Sequence, residues 1–168
     1  MKRKIIKLLS LIFIVLLVFI IYTFCKSNKI NYVALEETIP SYSDYIYDYL
    51  QDKDLIRTYH KYVSIKNIEE RIIINNSIKK DLRESELVTL FINDNNIENK
   101  LKEIRKYAKN DLIIIGYKDN ITIKKLCRKY NCKYIKLNEN TNINLIIEKI
   151  LCETKLVKNN KCLQIKIK

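Results

Sequence analysis

Hydrophobic and polar positions alternate along most of this chain in the way expected of strands that take turns with helices. Continuous apolar runs of strand length occur at residues 87–92 and 112–115, which is typical of strands buried on both faces of a parallel sheet. Around them, apolar residues recur at spacings of three and four, which indicates helices with one buried face. This alternation predicts an α/β domain with a parallel sheet covered by helices on both faces.

The predicted elements follow one another with short connections. Strands are expected at residues 32–35, 58–64, 87–92, 112–115 and 133–137, and helices at 42–50, within 68–84, and at 97–109, 122–130 and 143–151. The stretch 68–84 should be interrupted near Asn75 and Asn76. The first helix should bury one face, formed by Tyr42, Tyr45, Ile46, Tyr49 and Leu50, and should be entered through Ser41 or Ser43. Residues 163–168 alternate with period two and are either an edge strand or a frayed end.

Residues 8–24 form an almost unbroken apolar segment that follows a basic N-terminus. A helix of this length spans most of a hydrocarbon core of about 30 Å. A cleaved signal peptide is the alternative, but its apolar region is normally shorter and ends in a small-x-small site, which residues 22–28 lack. We therefore expect a cytoplasmic stub and transmembrane anchor over residues 1–25, a linker over 26–30 and an extracytoplasmic domain over 31–168, since basic residues favour the cytoplasmic side.

The formal net charge of +13 is concentrated in the last third of the chain. Residues 117–168 carry 13 Lys and Arg against 4 Asp and Glu. Such a surface could bind anionic lipid, a phosphate-rich wall polymer or a partner protein, or its lysines could simply be solvated. Nucleic acid is not favoured, because no cluster combines arginine with interleaved aromatic residues. The candidate residues for binding an anionic surface lie on one predicted helix: Lys124, Lys125, Arg128 and Lys129.

Five cysteines are present, and Cys25 lies at the end of the apolar segment. Outside the cell the other four could form two local disulfides, Cys127 with Cys132 and Cys152 with Cys162. Buried free thiols are an equally good interpretation. A zinc site is not favoured, because four and nine residues separate the cysteines of each pair and no histidine lies nearby.

Several stretches, taken in order, are similar to one family of enzymes. The apolar residues 32–35, followed by a helix with the sequence Tyr-Ser-Asp-Tyr-Ile-Tyr-Asp-Tyr-Leu, resemble the opening of SGNH/GDSL hydrolases, particularly membrane-anchored bacterial ones. Residues 59–64, 87–96 and 111–117 resemble the family's later strands, so that the resemblance covers residues 30–137. It implies a three-layer, flavodoxin-like α/β domain preceded by one transmembrane helix. It also implies an active site at the end of the first strand.

The catalytic residues of that family are mostly absent from this chain. Glu36, Glu37 and Thr38 stand where the family has Gly-Asp-Ser. Ser64 is followed by isoleucine instead of glycine, and Asn95 stands at the position of the family's oxyanion-binding asparagine. The C-terminal Asp-x-x-His that supplies the base has no counterpart.

A hydroxyl nucleophile needs both a base and preorganised donors for the oxyanion. We therefore expect a catalytically inactive binding or accessory protein of the cell envelope. The alternative is a divergent esterase or acyl hydrolase that uses Thr38 and Asn95 with an unrecognised base. His60, the chain's one histidine, lies far in sequence from Thr38 and is more simply structural.

Other chemistries receive less support from the sequence. Glu36 and Glu37 with Asp44 and Asp48 could bind a divalent cation, although acidic residues are common at a helix N-terminus for electrostatic reasons and are expected here to be solvated. A single glycine rules out a glycine-rich phosphate loop. No metal or cofactor is predicted. If the membrane topology were reversed, a cytoplasmic binder of lipid or nucleic acid would be the third hypothesis.

Overall fold

The computed structural model describes residues 10, 12–18, 29–36, 42–63, 68–92, 97–117, 121–137 and 142–154. Residues 12–18 form helix α1, and their apolar side chains are 43–65% exposed. None of the helices in these ranges is both long and apolar enough to cross a bilayer. The remainder of the predicted anchor and the tail from residue 155 onwards lie outside the described ranges.

The domain alternates strands with helices, as the sequence predicts. The elements are β1 Ile30–Glu36, α2 Tyr42–Asp52, β2 Ile56–Tyr62, α3 Ile68–Ile74, α4 Asn76–Glu84, β3 Leu87–Ile92, α5 Ile97–Tyr107, β4 Asp111–Gly116, α6 Ile121–Lys129, β5 Lys133–Lys136 and α7 Ile143–Glu153.

The five strands form one parallel sheet in the order β2-β1-β3-β4-β5. This is the flavodoxin-like order of a doubly wound sheet, in which the direction of winding reverses between β1 and β3. The carboxyl ends of these two strands therefore border the crevice where such folds commonly bind ligands. The predicted α/β class and parallel sheet are confirmed.

Helices cover both faces of the sheet and bury two separate cores. On one face, α3 to α6 pack against alternate residues such as Val33, Leu90 and Ile114. On the other face, α2 and α7 pack against the intervening residues, including Tyr32 and Ile113. Because successive strand side chains point to opposite faces, the central strands must be apolar at every position. The burial pattern of β3, with all six residues buried, shows this directly.

Two details of the helices differ from or refine the prediction. Tyr45 is 58% exposed, so its place on the buried face of α2 was predicted wrongly. Ile46 and Leu50 are buried as predicted, together with Ser43. Tyr42 and Tyr49 are partly buried and pack against the same core. The interruption in residues 68–84 is confirmed at Asn75. Its side-chain oxygen accepts hydrogen bonds from the backbone amides of Ser77 and Ile78, and it thereby caps the start of α4.

The two predicted cysteine pairs differ, because one pair is free and the other contains a disulfide-bonded cysteine. Cys127 and Cys132 are free and buried, so the local disulfide between them is not formed. The amide of Cys132 donates to the carbonyl of Cys127 across the end of α6, and Asn131 between them has a positive φ of 49°. This helix-ending turn brings the two thiols close together. A hydrogen bond between them lowers the pKa of Cys127 and raises that of Cys132.

Cys152 is disulfide-bonded, and Cys162, its predicted partner, lies outside the described ranges.

Candidate functional site

The carboxyl end of β1 carries a buried carboxylate. Glu36 is the last residue of β1 and has no exposed surface. Its Oε1 accepts a hydrogen bond of 3.2 Å from the backbone amide of Ser43, in the first turn of α2. The positive end of the helix dipole favours a negative group at this place. The expectation that Glu36 is a solvated turn residue is therefore wrong. Its carboxylate is buried and accepts a hydrogen bond from the first turn of α2.

A lysine from the neighbouring strand balances this buried charge. Lys61 Nζ lies 3.6 Å from Glu36 Oε2 and 2.8 Å from Asp44 Oδ2. Lys61 reaches the end of β1 because β2 pairs with β1 in parallel, with Lys61 opposite Ala34. No local sequence pattern indicates this role of Lys61, since its partners are 17 and 25 positions away along the chain.

Aromatic rings and hydroxyls surround the ion pair. The Tyr59 hydroxyl donates to Asp44 Oδ1 at 3.1 Å and is hydrogen-bonded to the Ser43 hydroxyl at 3.0 Å. The Tyr59 ring stacks on Tyr32 and Tyr47, with centroids 5.2 and 4.5 Å apart. Burial raises the pKa of Tyr59, and the Asp44 carboxylate adds to this. Tyr32 is thus a core residue, and Tyr47 and Tyr59 pack against the core beside it.

A second aromatic group lies across the crevice between β1 and β3. The Tyr42 ring stacks on Phe91 of β3, with centroids 6.0 Å apart. The hydroxyls of Tyr42 and Tyr117, the residue after β4, are hydrogen-bonded at 2.7 Å. This hydrogen bond, with partial burial, raises the pKa of Tyr117 to about 12. At the carboxyl edge of the sheet, side chains near the ends of β1, β3 and β4 thus contact one another.

Most of the residues at the family's catalytic positions lie outside the described ranges: Glu37, Thr38, Ser64 and Asn95. His60 is described, and it is placed away from Glu36. Its Nδ1 lies 3.4 Å from the carboxylate of Asp81 on α4, on the opposite side of the sheet from α2. His60 is therefore not positioned to activate a hydroxyl beside Glu36.

A divalent cation held by Glu36 and Asp44, the predicted alternative, would have to displace the ammonium group of Lys61. Lys61 Nζ already bridges these two carboxylates. Within the described part of the chain, no three His, Cys, Asp or Glu side chains are grouped to hold a metal ion.

The basic residues of α5 and α6 form the other candidate site. Six of their cationic side chains are exposed, and we call this set the basic helix surface: Lys102, Lys106, Lys124, Lys125, Arg128 and Lys129. Two further cations on α5 do not contribute. Lys100 is buried, and the Arg105 guanidinium donates to backbone carbonyls at the ends of both helices, including Tyr130 at 2.8 Å. All four candidate residues of α6 thus face solvent on one helix.

Lys129 Nζ lies 2.6 Å from Glu98 Oε1 on α5, so this cation is partly neutralised. The pair lowers the pKa of Glu98 and raises that of Lys129. All four cations of α6 are exposed, and they are the candidates for contacting an external anion.

Charge is segregated between the two helix layers. Helices α3 to α6 together contain twelve Lys and Arg and six Asp and Glu, with the whole excess on α5 and α6, whereas α2 and α7 together contain one lysine and five Asp and Glu. We call the layer of α3 to α6 the basic layer and that of α2 and α7 the acidic layer. Such a distribution orients a domain in the field of a charged surface.

The basic layer also exposes large apolar side chains. Ile73 and Ile74, at the end of α3, are 52% and 79% exposed, and Ile121, the first residue of α6, is 72% exposed. Ile121 precedes Lys124 and Lys125 by three and four positions, so these side chains neighbour one another on the helix. Charge and exposed apolar surface therefore occur together.

Comparison with known proteins does not place this chain in a family. No family model matches it, and no curated protein sequence matches it. The likeness to SGNH/GDSL hydrolases thus stays a prediction from the residues quoted above.

Proposed function

We propose that this protein is a membrane-anchored, extracytoplasmic binding or accessory protein of the cell envelope. Its domain is a degenerate relative of SGNH/GDSL hydrolases that no longer catalyses a reaction. It binds an anionic partner through the basic helix surface. The observation that carries this proposal is the segregation of charge, with six exposed cations on α5 and α6 and an acidic layer on the opposite face.

Two further observations support the proposal. At the end of β1, where the family would have Gly-Asp-Ser, the Glu36 carboxylate is buried, accepts from the amide of Ser43 and is paired with Lys61. A negative charge there opposes an oxyanion, which needs donors that are free to receive it. In addition, helix α1 exposes only apolar residues, which suits insertion into lipid.

The test is binding of a soluble polyanion by the full chain held in nanodiscs of zwitterionic lipid. Polyphosphate is the probe, and the double variant Lys124→Glu with Lys125→Glu should weaken binding at least tenfold. The matched control is Lys53→Glu with Lys149→Glu, which changes the net charge equally away from α6 and should leave the affinity within about twofold. Equal losses in both doubles would contradict the proposal.

A second assay separates this proposal from the hydrolase alternative. Hydrolysis of a short-chain chromogenic ester by the full chain should not exceed the buffer rate, and Thr38→Ala should change nothing. Ester turnover that disappears in Thr38→Ala would contradict the proposed loss of catalysis and would support the alternative that uses Thr38 and Asn95.

A further inference from the structure

The basic layer carries two features that favour different partners. Exposed cations alone suit any polyanion, including a hydrated wall polymer. The exposed isoleucines of the same layer do not suit a hydrated polymer, because it offers no apolar environment for Ile73, Ile74 and Ile121. A lipid leaflet offers both anionic headgroups and an apolar boundary a few ångströms beneath them.

The distance from the predicted anchor to the domain is consistent with such a contact. The apolar segment ends at residue 24 and β1 begins at Ile30. The five intervening residues can reach at most about 18 Å when fully extended. The outer surface of a helix layer lies about 15 Å from the middle of its sheet, given a helix diameter of 10–12 Å and half a sheet spacing. The tether is thus just long enough for the domain to lie on one of its helix layers.

Charge decides which layer that is. Lys and Arg are attracted to an anionic leaflet, and acidic side chains are repelled from it. The exposed acidic residues Asp48, Asp52, Glu148 and Glu153 lie on α2 and α7. The acidic layer is therefore turned to solvent when the basic layer faces the membrane.

We infer that the anionic partner is the lipid leaflet that holds the chain's own anchor, and that the domain lies on this leaflet through its basic layer. The cations of the basic helix surface contact the headgroups, and Ile121 enters the boundary between headgroups and acyl chains. This inference rests on the proposed function, since it names the partner of the same surface.

The chain contains no tryptophan, so a single introduced tryptophan reports its own environment. Ile121→Trp places the probe in the basic layer, and Tyr45→Trp is the matched control at an exposed position of α2 in the acidic layer. Each full-length variant is placed in nanodiscs of anionic or zwitterionic lipid that contain a spin-labelled quencher at headgroup depth.

In anionic nanodiscs, Ile121→Trp should shift its emission to shorter wavelength and be quenched at least threefold more than Tyr45→Trp. High salt, or added Lys124→Glu with Lys125→Glu, should remove the difference. In zwitterionic nanodiscs the two probes should be quenched equally. Equal quenching in anionic nanodiscs, or stronger quenching of Tyr45→Trp, would overturn the inference.

Failure of this inference is distinguishable from failure of the proposed function. If Ile121→Trp shows no preference for the anionic leaflet while polyphosphate still binds the basic helix surface, the partner is a soluble polyanion and only the lipid assignment is wrong. If polyphosphate binding and lipid quenching are both absent, both proposals are wrong.

Discussion

At the scale of single residues, Glu36 shows why a buried charge is hard to predict from sequence. It follows an apolar strand and precedes Glu37, a context that suggests a solvated turn. Its burial depends on Lys61 and on the amide of Ser43, which reach it only through strand pairing and the return of α2. No local pattern encodes these partners.

Removing this carboxylate should destabilise the fold. Glu36→Ala leaves Lys61 with Asp44 as its remaining acidic partner within the cluster and removes the acceptor for the Ser43 amide. We expect the free energy of unfolding to fall by about 1–3 kcal/mol, the usual cost of leaving buried polar groups unpaired. Urea unfolding of the full chain in detergent, followed by circular dichroism, measures this.

Glu36→Gln is the control, because its amide oxygen can still accept from Ser43, and it should lose less stability than Glu36→Ala. Equal stability of wild type and Glu36→Ala would show that the ion pair contributes nothing.

The Tyr42–Tyr117 hydrogen bond predicts a pH dependence in the alkaline range. Folding raises the pKa of Tyr117 from about 10, its ordinary value, to about 12. The folded state thus retains a proton that the unfolded state loses, so the stability it contributes is complete below about pH 10 and is lost as the pH rises towards about 12. Unfolding midpoints measured across this range should fall more steeply for the wild type than for Tyr117→Phe. Identical slopes would contradict the assignment.

At the scale of elements, the hydrophobic pattern predicted nearly every strand and helix of the described domain. Strand β3 was predicted at its observed bounds, because a continuous apolar run of this length is typical of a strand buried on both faces. One residue of the buried face of α2, Tyr45, was predicted wrongly, since tyrosine fits both core and surface and spacing alone does not separate Tyr45 from Ile46. The strand order could not be predicted from local patterns, because it depends on where each helix returns the chain to the sheet.

The cap of α4 lies at the interruption that the sequence predicted, and its contribution to stability can be tested. Asn75 Oδ1 accepts hydrogen bonds of 2.9 and 3.3 Å from the amides of Ser77 and Ile78. Asn75→Ala should lower the free energy of unfolding by about 1 kcal/mol, the usual value of a helix N-cap. Asn75→Asp keeps an acceptor oxygen and should retain wild-type stability in the same denaturation assay. A loss as large in Asn75→Asp would mean that capping is not the cause.

At the scale of the whole molecule, the sequence predicted where positive charge accumulates but not that the opposite layer is acidic. Residues of α2 and α7 are about a hundred positions apart, and only the doubly wound topology brings them to one face. The bipolar distribution is thus a property of the fold. A domain with this distribution is oriented in the field of an anionic surface, such as that of a membrane.

The predicted membrane topology can be tested at one exposed position. Tyr45→Cys introduces a thiol on the surface of α2, where the tyrosine is 58% exposed. In intact cells a maleimide that cannot cross the membrane should label this variant above the wild-type background, because the domain is expected outside. Labelling that rises above background only after lysis would place the domain in the cytoplasm.

The measurement that tests the central claim most directly is the salt dependence of polyphosphate binding by the full chain in zwitterionic nanodiscs. Binding through cations displaces counterions from a polyanion, so the logarithm of the affinity falls linearly with the logarithm of the salt concentration, by about one unit of slope for each contact. The account predicts a steep slope for the wild type and a slope shallower by about two units for Lys124→Gln with Lys125→Gln. An affinity independent of salt, or a slope that the double variant leaves unchanged, would show that the basic helix surface is not the binding site.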